Sequence, residues 1–225
     1  MITCIPNVLD RQGLDKAKAM IARMPFVDGG ATAKGRAKDR KQNEQIRKDP
    51  ALGAQELDRF LIEALHASED FQVAAFPRHV LPPTISRYRP GMQYGLHADN
   101  AFVGGLNARM RSDLSVTLFL NDPENYDGGE LIITTGAGQE EVKLMAGEAV
   151  VYPSSSLHRV NAVTRGERLA AITWVQSYVR GIEQRELLAD LRTMSKRLNE
   201  IDPDSPAADV GVKAYYNLLR MWSDG

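Results

Sequence analysis

Cysteine, charge imbalance and long apolar runs are all scarce in this sequence, and each shortage excludes something. One cysteine, Cys4, in 225 residues cannot close an internal disulfide. No apolar stretch reaches the roughly 18 residues that a membrane-spanning helix needs. A formal net charge of -1 gives no electrostatic reason to expect nucleic acid or an anionic membrane as partner. Residues 1–8 lack a basic start followed by an apolar segment, so no secretory signal is expected. Internal repeats and low-complexity segments are missing too. What remains, 43% hydrophobic and 25% charged, is ordinary for a soluble globular chain. Its length allows one substantial core with a small appendage. A reducing cytoplasm is the expected location.

Histidine is also scarce, yet two of the four fall into a chemical pattern. His97 and Asp99 stand two apart, which on a strand points them to one face. His158 can supply a third ligand from a distant strand. Two imidazoles and one carboxylate form the set that leaves open positions on Fe(II), although zinc accepts it as well. The alternative is a satisfied polar pair at a surface turn. Tyr94, Leu96, Leu157 and Val160 are apolar neighbours that argue for burial, where a lone Asp beside a His would be costly. Arg168 follows His158 by ten positions and shares a strand face with Ala170, Ile172 and Trp174. A surface salt bridge to Glu167 or Asp113 is its bland reading. Pointing inward instead, it would need an anion, and a guanidinium pairs with a carboxylate in bidentate fashion. The far carboxylate of a keto acid such as 2-oxoglutarate, chelating the metal by its other end, meets that need.

This ordered set resembles the Fe(II)/2-oxoglutarate dioxygenases of the prolyl/lysyl-hydroxylase type, specifically the bacterial PKHD-type hydroxylases. The resemblance spans nearly the whole chain. It takes in residues 88–91, Tyr94, residues 97–100, 113–120, 128–131 and 153–160 in family order, with residues 28–35 near the start. It implies an enzyme that hydroxylates an unactivated C–H group and releases succinate and CO2. It implies Fe(II), 2-oxoglutarate and O2, with L-ascorbate as reductant. Tyr88 matches a position that hydrogen-bonds 2-oxoglutarate, and Thr117 is a second polar contact. Tyr94, Asn100, Asn43 and Trp174 are candidates for the substrate pocket, and Lys41 and Gln45 resemble polar family positions. The substrate is left open between a protein prolyl or lysyl residue and a small metabolite, including an iron-chelating compound. Rival readings are a cupin-like isomerase, a zinc hydrolase, or a non-catalytic sensor.

Local patterns supply the architecture. A strand is expected over 2–5, then a helix capped by Asp10 that buries Leu14, Ala17, Met20, Ile21 and Met24. The basic stretch 28–48 reads as a solvated loop and helix start, or as a lid beside the metal. Asp49 and Pro50 read as the start of a helix that buries Leu57, Phe60, Leu61, Ala64 and Leu65 and ends before Phe71. His66 and His79 read as structural. From 71 to 179 the pattern is all strands and turns, including a hairpin of 131–135 with 141–144. Within 113–120, Leu114, Val116, Leu118 and Leu120 alternate with Asp113, Ser115, Thr117 and Phe119. A helix over 182–200 is broken by Pro203 and Pro206, and a second amphipathic helix follows over 212–222. With the resemblance, the expected fold is mainly β with flanking helices around a double-stranded β-helix (jelly-roll) core. Residues 1–180 would be the dioxygenase domain, with its core at about 71–180. Residues 181–225 would be a helical extension, packed on the core or contacting a second copy in a homo-oligomer.

Overall fold

The alternating stretch 113–120 becomes the strand on which the molecule is built. In the computed structural model, which describes residues 2–32, 39–105 and 109–224, it runs Leu114–Phe119 and is buried on both faces. As β10 it sits inside the larger of two antiparallel sheets. That sheet has the order β1 (Thr3–Ile5), β14 (Ala149–Pro153), β10, β17 (Arg168–Ser177), β6 (Thr84–Tyr88), β4 (Glu44–Ile46) and β2 (Phe26–Asp28). The strand β5 (Pro77–Val80) also pairs with β17. The smaller sheet has the order β13 (Gly138–Val142), β12 (Leu131–Thr135), β15 (His158–Val160), β7 (Gln93–His97) and β3 (Lys41–Gln42). Two short ribbons pair β8 (Phe102–Val103) with β9 (Met110–Arg111), and β11 (Tyr126–Gly128) with β16 (Val163–Gly166). Together these form the jelly roll.

The period of two in β10 decides what lies on each side of the larger sheet. Leu114, Val116 and Leu118 face outward into a core closed by three helices. These are α1 (Arg11–Ile21), α2 (Ala54–Ala67) and α3 (Glu69–Ala75), which contribute Ala17, Leu57, Leu61, Leu65 and Phe71. Truncating one such leucine to alanine costs about 2–5 kcal/mol. Phe119 faces the other way, into a second core between the sheets with Tyr88, Leu131, Ile133, Tyr152 and Val160. Ser115 and Thr117 share that inner side, where the polar site is found.

Asp10 caps α1 as expected, its carboxylate accepting from the Gly13 N–H at 2.7 Å. Several other expectations are corrected. Pro50 opens only a single 3-10 turn, Pro50–Leu52, because Gly53 turns left-handed (φ 86°) before α2 begins. Residues 71–75, expected as the start of the strands, belong to the helix Glu69–Ala75. Ser68 accepts from the Phe71 N–H, Glu69 and Asp70 suit the positive end of the helix dipole, and Phe71, Ala74 and Ala75 are buried at helical spacing. The hairpin partner of β12 is 138–142 rather than 141–144. The stretch 28–48 supplies β3 and β4 instead of a solvated loop, and Lys34, Arg36 and Lys38 lie outside the described residues.

Pro206 starts a helix instead of breaking one. Placed at the first turn, where its missing N–H is not needed, it opens α5 (Pro206–Trp222). This helix pairs with α4 (Ile182–Ile201), and the two pack on the body through Phe76, Val179, Leu188 and Tyr215. Buried Arg185 fastens the junction, its Nη1 donating to the carbonyls of Val179 (2.7 Å) and Arg180 (2.9 Å).

Candidate functional site

Strand register brings the two distant histidines together. On the paired strands β7 and β15, His97 lies directly opposite His158, and the ring centroids are 4.2 Å apart. Three steps on β7, from Tyr94 to His97, match two on β15, from Val160 to His158, so β7 carries a bulge. The extra residue turns Tyr94 to the same side as His97, and its ring stacks on the imidazole at 3.7 Å.

Asp99 stands just beyond the end of β7 rather than on the strand, so period two is not what aims it. Ser115 does. Its hydroxyl donates to Asp99 Oδ2 at 2.5 Å and lies 2.8 Å from the Ser154 hydroxyl. The Asp99 N–H also donates to the Ser154 carbonyl at 3.3 Å. Asp99 Oδ1 then sits 3.9 Å from His97 Nε2, and Oδ2 sits 3.8 Å from His158 Nε2. One atom from each residue can be chosen so that all three lie within 4.8 Å of one another.

The imidazoles are also preset. His97 Nδ1 is 2.8 Å from the Gly95 carbonyl and His158 Nδ1 is 3.0 Å from the Ser156 carbonyl. A carbonyl can only accept, so each Nδ1 carries the hydrogen and each Nε2 offers a lone pair to the cluster. Burial, reinforced by neighbouring His158, lowers the His97 pKa to about 4. The ring is therefore neutral near pH 7. Two imidazoles and a carboxylate facing one point form a site for a metal cation.

The other end of the site is built around Arg168. It opens β17 opposite Tyr88 on β6, and only 1% of its surface is exposed. Its guanidinium carbon lies 5.4 Å from the Tyr88 ring centroid and 5.3 Å from that of Phe119. Gly129 leaves the room, since a Cβ there would come within 3.1 Å of the Arg168 Cδ. Among the described residues no carboxylate pairs with Arg168, and its Nε lacks a hydrogen-bond partner. The salt bridges proposed to Glu167 or Asp113 do not form, because those carboxylates pair with Arg87, Arg89 and Arg111. A buried, unpaired guanidinium is a receptor for an anion.

Both ends open into one cavity of about 340 Å³. Tyr88, Thr117, Tyr94, Asn100, Asn43 and Trp174 all line it, so the structure brings together every residue singled out from the sequence. Burial raises the Tyr88 phenol above its usual range, with Arg168 opposing the shift. Burial lowers Lys41, on the cavity wall, to about 8 against the pull of Asp99 and Asp28. Leu96 and Leu157 do not enclose the site as expected. They are 38% and 47% exposed, on alternate positions that face away from it. Three contributors escaped notice in the sequence. Ser115 lay on the polar face of an alternating strand, and Ser154 lay in the run of serines before His158. Tyr126, whose buried hydroxyl lies beside Arg168, sat in a stretch that composition marks as a turn.

A family model described as the 2OG-Fe(II) oxygenase superfamily matches residues 83–176, the stretch that holds the triad and Arg168. A PKHD-type hydroxylase of Paraburkholderia phymatum is 45% identical over 227 residues, covering 100% of both chains. Another, from Picosynechococcus, is 44% identical and covers 98% of each. A Trichoplax adhaerens prolyl hydroxylase, solved with a hypoxia inducible factor peptide, superposes with a TM-score of 0.60 at 13% identity. It covers 83% of this chain and 86% of its own. That structure shares the fold, while the full-length identities settle the kinship: this chain belongs to the PKHD-type hydroxylases of the 2OG-Fe(II) oxygenase superfamily.

Proposed function

We propose that the chain hydroxylates an unactivated C–H group with Fe(II) held by His97, Asp99 and His158 and 2-oxoglutarate held by Arg168, Tyr88 and Thr117. Membership of the family implies Fe(II), 2-oxoglutarate and O2 and leaves the substrate open. The observation that carries the assignment is the pairing of two halves in one cavity. A preset cluster of two imidazoles and a carboxylate faces it at one end, and an unpaired buried guanidinium at the other. An isomerase or zinc hydrolase would use the first half and give the second no task.

When bound, the metal and the keto acid supply the chemistry, converting 2-oxoglutarate and O2 to succinate and CO2 with transfer of one oxygen atom to the C–H group. The protein's own part is geometry. Ser115 and the two backbone carbonyls fix the directions of the three ligands, and Tyr94 shields one face of His97 from water. Arg168 sets the distance at which a dicarboxylate can reach the metal. Tyr94, Asn100 and Trp174 remain for the substrate. The cavity is near the lower limit for ligand pockets and must also admit the keto acid. That favours a substrate inserting one group, such as a prolyl or lysyl side chain, over a metabolite engulfed whole.

Ascorbate acts in this reading as a reductant from solution, with no residue assigned to it. A reducing cytoplasm suits an Fe(II) enzyme with a single thiol, Cys4. Residues 1–180 then form the catalytic unit. The extension 181–225 offers a face for a second copy through exposed Leu187, Met194 and Ile201. The test is an anaerobic titration of metal-free protein with Fe(II) and then 2-oxoglutarate, followed by the visible charge-transfer band of the chelate. The band is expected in the native protein and absent from His158→Ala protein. Tight metal binding with no band would discard the reading.

A further inference from the structure

Asn43 is the single residue between β3, in the smaller sheet, and β4, in the larger. It therefore crosses the seam between the two walls of the jelly roll. Its side chain is 3% exposed and lines the cavity, yet neither Oδ1 nor Nδ2 makes a hydrogen bond of good geometry, and the Tyr88 phenol is its polar neighbour. Leaving a buried primary amide unsatisfied at both atoms is costly, and inside a binding cavity the bonding is completed by a ligand or an ordered water. The neighbours say which ligand. The amide lies beside the Tyr88 phenol, and Tyr88 is the register partner of Arg168. The amide thus belongs to the anion-receiving end rather than to the substrate pocket for which the sequence made it a candidate.

The amide is also held in place from behind. The Gly29 N–H donates to the Asn43 carbonyl at 2.8 Å. A Cβ at position 29 would land 2.0 Å from Asn43 Oδ1 and 3.1 Å from the Asn43 carbonyl oxygen. Only a residue without a side chain leaves the amide where it stands. Gly29 and Asn43 act as a pair.

We propose that Asn43 is a third contact for the carboxylate of 2-oxoglutarate held by Arg168, donating from Nδ2, with Gly29 conserving the space that aims it. This rests on the proposed function above. The test is calorimetric titration of 2-oxoglutarate into the Mn(II)-loaded protein, a readout of binding without turnover. A lost hydrogen bond to a charged group predicts affinity about tenfold or more lower in Asn43→Ala protein. Asn43→Asp keeps the shape and sets an anion against an anion, so it is expected to bind still more weakly. Gly29→Ala is expected to weaken binding in the native background and to have a smaller further effect beside Asn43→Ala, where the 2.0 Å clash with Oδ1 is gone and only the tight approach to the carbonyl oxygen is left.

Native-like affinity in Asn43→Asp protein would overturn the proposal even if the alanine variant fails to fold. So would variants that change only the apparent affinity for the substrate, which would return Asn43 to the substrate pocket. Failure of the native protein to bind 2-oxoglutarate would instead refute the proposed function, so the two failures are distinguishable.

Discussion

Replacing Arg168 with methionine separates the cost of the site from its use. In the ligand-free protein this guanidinium is almost wholly buried and, among the described residues, faces no carboxylate. Desolvating an ion costs several kcal/mol in a real protein. The two ring contacts, with Tyr88 and Phe119, return about 0.5–2 kcal/mol each. Methionine fills similar volume without the charge, so the ligand-free variant is expected to gain about 1–2 kcal/mol, or about 2–8 °C in Tm for a chain of this size. Binding moves the opposite way. Losing a bidentate, charge-assisted pair removes about 3–6 kcal/mol, a fall of about 10²- to 10⁴-fold in 2-oxoglutarate affinity. Differential scanning calorimetry of the Mn(II)-loaded protein, with and without 2-oxoglutarate, reads both effects. At a hundredfold excess over the native Kd the native protein is stabilised by about 2.7 kcal/mol and the variant by at most about 0.4 kcal/mol. A lower Tm for the ligand-free variant, with the ligand-induced shift intact, would refute the reasoning.

Ser115→Ala removes the donor to Asp99 Oδ2, and metal affinity is expected to fall about 10- to 100-fold by titration while the fold is kept. Protonation of His97 gives a pH signature. Its folded pKa of about 4 lies below the unfolded value, so between about pH 6.5 and 4 the unfolded chain binds the proton and the folded one does not. Stability of the metal-free protein is therefore complete above that window and declines as pH falls through it. Urea midpoints should show a shallower slope in His97→Gln protein, and an identical slope would contradict the assignment. Ser68→Ala strips the cap from residues 69–75 and is expected to cost about 0.5–2 kcal/mol with no change in metal binding.

What the sequence determined by itself was chemistry and period. Ligand types, their order and the ten-residue step to Arg168 are properties of the chain, and alternation over 113–120 needs no tertiary context to assign a core face and a polar one. Helical stripes such as Leu57, Leu61 and Leu65 are legible for the same reason. Aim came from tertiary contacts. His97 meets His158 through strand register, Tyr94 joins them through a bulge, and Asp99 is steered by a serine from another strand. None of these leaves a local pattern, because each depends on which strands become neighbours. The same holds for Asn43. In sequence it is one polar residue in a basic stretch, and it becomes a buried, unsatisfied amide only when its two flanking strands join different sheets. Periodicity records which side of an element is wet or dry, while register and sheet membership fix the distances on which binding depends.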